Sequence, residues 1–310
     1  MSKQVRITDV SPRDGLQNEP IVIPAERKVR LIELLSRTGV DEIEVTSFVS
    51  PKWVPQLADA EEVAEAVESA YSANTVFSAL VPNARGLERV LHINETAGFP
   101  LISKVSVFTA ASETFSQRNT NATILETYDR FLPIVKAAND ANLELRGYIS
   151  CAIACPFEGP IKPEKVAQVA FILYDMGIHE IDLGDTIGVA YPADIAALLS
   201  AVFMNFDEED AEYAKFTLHL HDTFGRAADC VRTALEMGVR SFDGSAAGLG
   251  GCPYASKPGA PAPGNISTEL LVRTIHEAGY ETNVDPEALA AASAYAAKIV
   301  ADSRATGTHA

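Results

Sequence analysis

Two histidines stand two residues apart in Leu218-His219-Leu220-His221-Asp222. Successive side chains of a strand point to opposite faces, so His219 and His221 share one. Two imidazoles on one face, above the end of a strand, make half of a divalent-metal site. The other half is expected near the two ends of the chain, at Asp14 in Ser11-Pro12-Arg13-Asp14-Gly15 and at Asn265 in Pro263-Gly264-Asn265. Such a nitrogen and oxygen donor set has no thiolate and leaves room for water or substrate oxygens. It suits an octahedral ion, Mg2+ or Mn2+, and zinc or cobalt would also be held in vitro. Beside Asp14, Arg13 offers a rigid guanidinium matched to a developing enolate oxygen. The plainer alternative for Arg13 and Asp14 is a surface ion pair of little worth.

Glu44 and Asp185 are carboxylates inside apolar strands, where an unpaired charge is costly. Glu44 reads as a partner that orients Arg13, a histidine or the metal ligands. Asp185 stands between a structural and a catalytic role. Cys252 lies in Gly248-Leu-Gly-Gly-Cys-Pro-Tyr254, a glycine-rich loop, which favours a reactive thiol over a packing one. Cys151 and Cys155 lack metal-finger spacing and Cys230 falls on a helix, so these three are expected to pack as reduced thiols.

Residues this far apart along the chain can meet only in a closed fold. Strands are expected at 5–10, 42–47, 75–81, 104–109, 144–151, 180–185, 216–222 and 241–246. Amphipathic helices alternate with them at 25–38, 57–70, 84–97, 124–142, 163–176, 192–205 and 227–237, and Gly39, Gly177 and Gly238 mark helix ends. Eight βα units in roughly 250 residues is the arithmetic of a (β/α)8 TIM barrel, an α/β fold with a parallel sheet. An internal echo agrees: Leu183-Gly-Asp-Thr-Ile-Gly188 matches Leu220-His-Asp-Thr-Phe-Gly225. A doubly wound sheet would need a glycine-rich phosphate turn after strand one, and Ser11 to Leu16 lacks that spacing. Residues 1–310 are read as one catalytic domain, with the barrel over about 5–280 and a helical extension over about 285–304. In such a barrel the loops at the C-terminal strand ends carry function, and every unusual polar residue named above falls there.

A formal charge of −17 over 310 residues excludes the basic footprint that nucleic acid or an anionic membrane surface needs. It does not exclude an anionic substrate, because one arginine and a divalent ion invert the potential within a pocket. No apolar run reaches the length that spans a bilayer, and the N-terminal residues carry no leader pattern; a cytoplasmic protein is expected.

Val10-Ser-Pro-Arg13-Asp14-Gly-Leu-Gln17-Asn18-Glu19, Thr46-Ser-Phe-Val-Ser-Pro-Lys-Trp53-Val-Pro-Gln56, Arg146-Gly-Tyr-Ile-Ser-Cys151, His219-Leu-His-Asp-Thr-Phe-Gly225 and Ala247-Gly-Leu-Gly-Gly-Cys252-Pro-Tyr-Ala255 resemble, in order, the motifs of the hydroxymethylglutaryl-CoA lyases. These belong to the barrel superfamily of metal-dependent lyases and Claisen-type synthases. The resemblance runs from about Val5 to Val284. It implies cleavage of 3-hydroxy-3-methylglutaryl-CoA to acetyl-CoA and acetoacetate, an acyl-CoA thioester as the bound partner, and a homo-oligomer, dimer or higher. It carries Asp14, His219, His221 and Asn265 as metal ligands, Arg13 as enolate stabiliser and Cys252 as proton donor. His219 is the candidate base, with Asp185 as alternative. Gln17, Glu44, Ser47, Tyr148, Thr186 and Glu269 are the expected substrate-binding and orienting residues. The chain departs from the family in a longer stretch between Cys252 and Asn265, with prolines at 258, 261 and 263, and in Pro20, where a basic residue is usual. The nearest rivals are a lyase for another branched 3-hydroxyacyl-CoA and a synthase of the same superfamily. A barrel that only binds a CoA thioester is the non-enzymatic alternative.

Overall fold

Alternating charged and apolar residues, as in Glu42-Ile-Glu44 and Glu180-Ile-Asp182, would expose a polar face in an open sheet. Here both faces are buried, because the sheet closes on itself. The structure, a computed structural model, describes residues 3–72, 74–206, 215–251 and 264–307. Its eight parallel strands are β1 (Arg6–Asp9), β2 (Glu42–Ser47), β3 (Val76–Leu80), β4 (Lys104–Ala110), β5 (Glu144–Ser150), β6 (Glu180–Asp185), β7 (Lys215–Leu220) and β8 (Ser241–Gly244). Each pairs with its sequence neighbour, and β1 pairs with β8 from Arg6↔Ser241 to Asp9↔Gly244, closing the barrel. The helices are α1 (Ala25–Leu35), α2 (Ala60–Ala66), α3 (Ala84–Ala97), α4 (Glu113–Thr120), α5 (Ile124–Asp140), α6 (Pro163–Asp175), α7 (Pro192–Phe203), α8 (Ala227–Glu236), α9 (Thr268–Glu277) and α10 (Pro286–Gly307). The outward strand residues, among them Ile7, Ile43, Val105, Ile149, Ile181 and Leu218, are buried under these helices.

The expected elements are present, with three differences, one of them a short antiparallel pair of Ala154–Cys155 with Gly159–Pro160. The helix expected from Leu57 begins at Ala60, because Pro55–Leu57 forms a separate 3-10 turn. Helix α4 was not expected: of its eight residues only Phe115 and Ser116 are buried, so it carries no apolar stripe to read. It is set instead by its cap, Ser112 Oγ accepting from the Phe115 amide.

Inside the barrel, the inward positions hold an ion network where such barrels mostly stack branched apolar residues. Lys104 Nζ sits 2.6 Å from Glu42 and 2.7 Å from Glu180. Arg146 donates Nε to Glu180 (2.7 Å), Nη1 to Asp243 (3.1 Å), and Nη2 to Thr8 (2.9 Å) and Glu42 (3.1 Å). Both cations are buried, and the carboxylates outweigh burial to raise the pKa of each. Removing one member strands the others: Lys104→Met should cost about 3–5 kcal/mol in denaturant unfolding, although methionine fills much of the volume.

At the other end of the chain, α10 braces the loop that follows Arg13 and Asp14. Arg304 makes a two-pronged bond to Glu19 (2.7 and 2.9 Å), and Ser303 Oγ donates to the Ile21 carbonyl.

Candidate active site

Strand β1 ends in a wide helical turn, Ser11–Gly15, whose backbone closes through the Gly15 amide to the Val10 carbonyl. Irregular turns of this kind place side chains that a regular strand cannot. Gly15 is required there, since a Cβ would stand 2.9 Å from Ser245 Oγ and 3.0 Å from Leu249 Cβ. Asp9 holds the turn from beneath, accepting from the amides of Ser11 and Ala246 and from the Ser11 and Thr268 hydroxyls. Burial pushes this carboxyl up to about 6, against the pull of those bonds.

The turn delivers Asp14 to the histidines. Asp14, His219 and His221 each offer a donor atom within 4.8 Å of the others. His219 Nε2 lies 3.4 Å from His221 Nε2 and 3.9 Å from Asp14 Oδ2. Asn265 joins through backbone pairing with His221 and donates Nδ2 to Asp14 Oδ2 (2.8 Å) and to the Leu249 carbonyl (3.0 Å). Its Oδ1 is thereby left as the acceptor face. Gly250 closes the approach: a Cβ would meet Asn265 Nδ2 at 2.8 Å and the Asp14 carbonyl at 3.0 Å.

The donor chemistry fits a divalent cation. Asp14 is held ionised down to about 2, because Arg13 and the two histidines outweigh its burial. Burial, with His219 beside it, lowers His221 to about 4, so this ring is neutral at neutral pH. For His219, burial opposes charge, but the Asp243 hydrogen bond and the Asp14 carboxylate raise its pKa. Two rings that present the same nitrogen to each other across 3.4 Å are matched when a proton or a cation lies between them. One carboxylate, two imidazoles and an amide oxygen suit an oxygen-preferring octahedral ion.

Arg13 stands against this cluster. Its Nε donates to Glu44 Oε2 (2.5 Å) and its Nη1 to Asp14 Oδ1 (2.9 Å). Among the described residues Nη2 donates no hydrogen bond, which leaves one edge of the fork for a ligand. Glu44 is braced in turn by Ser106 Oγ (2.5 Å) and the Tyr148 hydroxyl (3.3 Å). Arg13, 7 % exposed, is no surface ion pair. Burial works against its charge, but Glu44 and Asp14 outweigh it and keep the guanidinium protonated. Of the partners expected for Glu44, Arg13 is the one the structure places on it.

Other expected residues divide. Gln17 Nε2 donates to Asp14 Oδ1 (2.7 Å) and belongs to the cluster. The Tyr148 ring packs edge-on against His219 and lies under the Arg13 guanidinium. Ser47 Oγ is buried with no hydrogen-bond partner among the described residues. Thr186 Oγ1 accepts from the Cys151 amide (2.7 Å) and ties β5 to β6. Glu269 accepts from the Ala247 amide (3.2 Å), steadying the start of the cysteine loop. Cys252 lies outside the described residues. Cys151, Cys155 and Cys230 are buried, as packing residues are expected to be.

Asp185 turns away from the lumen. It accepts from the amides of Val189 (3.2 Å) and Ala190 (2.8 Å) and so fixes the loop after β6. Strand alternation explains this: Glu180 and Asp182 face inward, so Asp185 falls in the outward set. Burial pushes it up to about 6, a suitable value for a base in an unsuitable place. His219 has its own constraint. Nδ1 is engaged by Asp243 (3.1 Å), so Nε2 alone faces the cluster and cannot hold an ion and accept a proton together. Sequence reasoning passed over Asp243 and the network-forming side chain of Arg146; the available signal was charge at alternate positions of strands.

An HMGL-like family model matches residues 4–295. The chain is 44% identical over 289 residues to the mitochondrial hydroxymethylglutaryl-CoA lyase of Mus musculus, covering 93% of this chain and 83% of that protein. To the hydroxymethylglutaryl-CoA lyase of Pseudomonas mevalonii it is 45% identical over 286 residues, covering 92% and 89%. Among solved structures, the HMG-CoA lyase from Brucella melitensis superposes with a TM-score of 0.86 at 42% identity, covering 96% of this chain and 98% of that one. An HMG-CoA lyase from Acinetobacter baumannii, solved in complex with coenzyme A and 3-methylmalate, gives 0.85 at 34% identity, covering 97% and 92%. With its closed barrel and its likeness sustained over nearly the whole chain, this protein belongs to the HMGL-like family, among the hydroxymethylglutaryl-CoA lyases.

Proposed function

We propose that the protein cleaves 3-hydroxy-3-methylglutaryl-CoA to acetyl-CoA and acetoacetate, with a divalent cation, Mg2+ or Mn2+, held by Asp14, His219, His221 and Asn265. The observation that carries this reading is the convergence of Asp14, His219 and His221 beside a buried arginine whose Nη2 has no hydrogen-bond partner among the described residues. The relative solved with coenzyme A supports a CoA thioester as the ligand. When bound, the cation supplies Lewis acidity toward a substrate hydroxyl.

The chain's own residues account for the remaining demands. The C3 hydroxyl gives up its proton, the C2–C3 bond breaks, C3 becomes a ketone, and the electron pair flows onto the thioester. Arg13, pinned by Glu44 and Asp14, meets the enolate oxygen with its Nη2 edge, a donor that needs no reorganisation as the charge develops. Cys252 returns a proton to C2; an ordinary thiol pKa of about 8.5 suits a donor working near neutrality. The hydroxyl proton passes to solvent, and the Cys252 thiolate left after C2 is protonated takes one back, so the protons balance and neither water nor a redox partner is consumed. We further assign a cytoplasmic homo-oligomer. No described helix is long and apolar enough to cross a membrane.

The test is product formation from a panel of branched 3-hydroxyacyl-CoA thioesters with Mg2+ or Mn2+. Acetyl-CoA and acetoacetate released fastest from the 3-hydroxy-3-methylglutaryl thioester support the proposal; a preference for another acyl chain reassigns the substrate. Cys252→Ser should keep Mn2+ and substrate affinity but lower kcat by about 100-fold or more, the upper part of what a positioned acid contributes. Turnover near that of the unaltered protein removes the proton-donor role.

A further inference from the structure

Behind His219 lies a pair of carboxyl groups that the reaction does not use. Asp243 on β8 is the register neighbour of His219 on β7, and Asp182 on β6 faces them across the lumen. Asp243 uses one oxygen for His219 Nδ1 (3.1 Å) and the other for Arg146 Nη1 (3.1 Å). Asp182 is fully buried, and neither of its oxygens has a hydrogen-bond donor among the described residues. The nearest cation, Arg146 Nη1, stands 3.7 Å away. A buried carboxylate without a donor is among the costliest arrangements in a protein interior, whereas a buried carboxylic acid beside a carboxylate has a ready acceptor.

We propose that Asp243 is a positioning residue that fixes the His219 ring with its proton on Nδ1, and that Asp182 is a neutral acid whose proton is donated to Asp243. The charge balance agrees. Lys104, Arg146 and Arg13 face Glu42, Glu180, Glu44, Asp243 and Asp14. A divalent cation makes up the difference of two, and a sixth carboxylate would have no counterpart. Burial and the neighbouring Asp243 both raise the pKa of Asp182. The consequence for function is directional: with Nδ1 protonated, the lone pair of Nε2 points at Asp14 and His221. A ligand held this way is more basic and loses no rotational freedom on binding.

This inference rests on the metal-site reading above, and the test separates the two. Asparagine at 182 keeps a donor toward Asp243, so Asp182→Asn should bind Mn2+ within about threefold of the unaltered protein. Asparagine at 243 must keep its oxygen for Arg146 and turn its amide to His219. Nδ1 then becomes the acceptor, and the proton moves to Nε2, into the cluster. Asp243→Asn should therefore weaken Mn2+ binding, followed by electron paramagnetic resonance, by about 10–100-fold. The second readout needs no metal: 15N spectra of the metal-free, histidine-labelled protein, with the His219→Gln spectrum for assignment. They should show His219 protonated on Nδ1. An Nε2-protonated ring, Asp243→Asn with unchanged affinity, or Asp182→Asn as weak as Asp243→Asn overturns the proposal. An unaltered protein that binds no Mn2+ overturns the metal reading instead, and the 15N tautomer then judges the orientation alone.

Discussion

Replacing Arg13 with methionine should lower kcat about 10³-fold while KM rises less than about tenfold. Removing a preorganised donor from a developing oxyanion costs about 10²–10³ in turnover, and Arg13 is placed for the upper end. It is 7 % exposed and clamped on two sides by Glu44 and Asp14, so its geometry is settled before the substrate arrives. The effect falls on kcat because the enolate charge exists only after the bond begins to break. Methionine also strands Glu44, whose remaining partners are the Ser106 and Tyr148 hydroxyls, so a denaturant titration must accompany the kinetics. Arg13→Lys separates charge from shape: one ammonium cannot serve Glu44, Asp14 and a substrate oxygen at once. It should recover stability before it recovers rate. A loss confined to KM would show that Arg13 only binds substrate.

Exchanging Asp14 for asparagine should weaken Mn2+ binding by at least about 100-fold, more than an orienting residue costs. Three donors converge on this one carboxylate: Arg13 Nη1 and Gln17 Nε2 on Oδ1, and Asn265 Nδ2 on Oδ2. An asparagine must aim its own NH2 at one of them, donor against donor, while the negative charge facing the cation is lost. Rotation to escape that conflict would release Gln17 or Asn265, so two further groups lose their aim. Equilibrium titration with Mn2+ measures this directly. An unchanged dissociation constant would place the cation elsewhere and leave the convergence of Asp14 on the β7 histidines purely structural.

His219→Ala and Asn265→Ala probe the same centre from strand β7 and from the segment before α9, but they also remove packing around Tyr148 and Gly250. Asp14→Asn is the cleaner measurement, since it changes charge and donor sense at nearly constant volume.

The chain by itself determined the (β/α)8 order, because that information is local. Apolar runs recur eight times with amphipathic stretches between them, Gly39, Gly177 and Gly238 mark helix ends, and Arg13, Asp14 and His221 fall just past strand ends, with His219 near the end of β7 and Asn265 in the segment after β8. Alternation alone put both histidines on one face. Glu44 could be read as a partner in need of a cation, since a lone carboxylate in an apolar strand is costly. What only the tertiary structure decided was which distant groups face each other. Asp185 and Asp243 are both acidic residues at or near the end of a strand, yet the first caps a loop and the second holds His219. Facing depends on each strand's register in the closed sheet: Asp243 meets His219 through the β7–β8 pairing, and Arg13 meets Glu44 through β1 and β2. Helix α4 escaped for the opposite reason, as its ends are set by a single cap and not by an apolar stripe. Closure of the barrel also turned alternating charges into a buried network around Arg146 and Lys104. Burial is a property of the surface against which a residue lands, and a sequence of neighbours along one strand does not contain that surface.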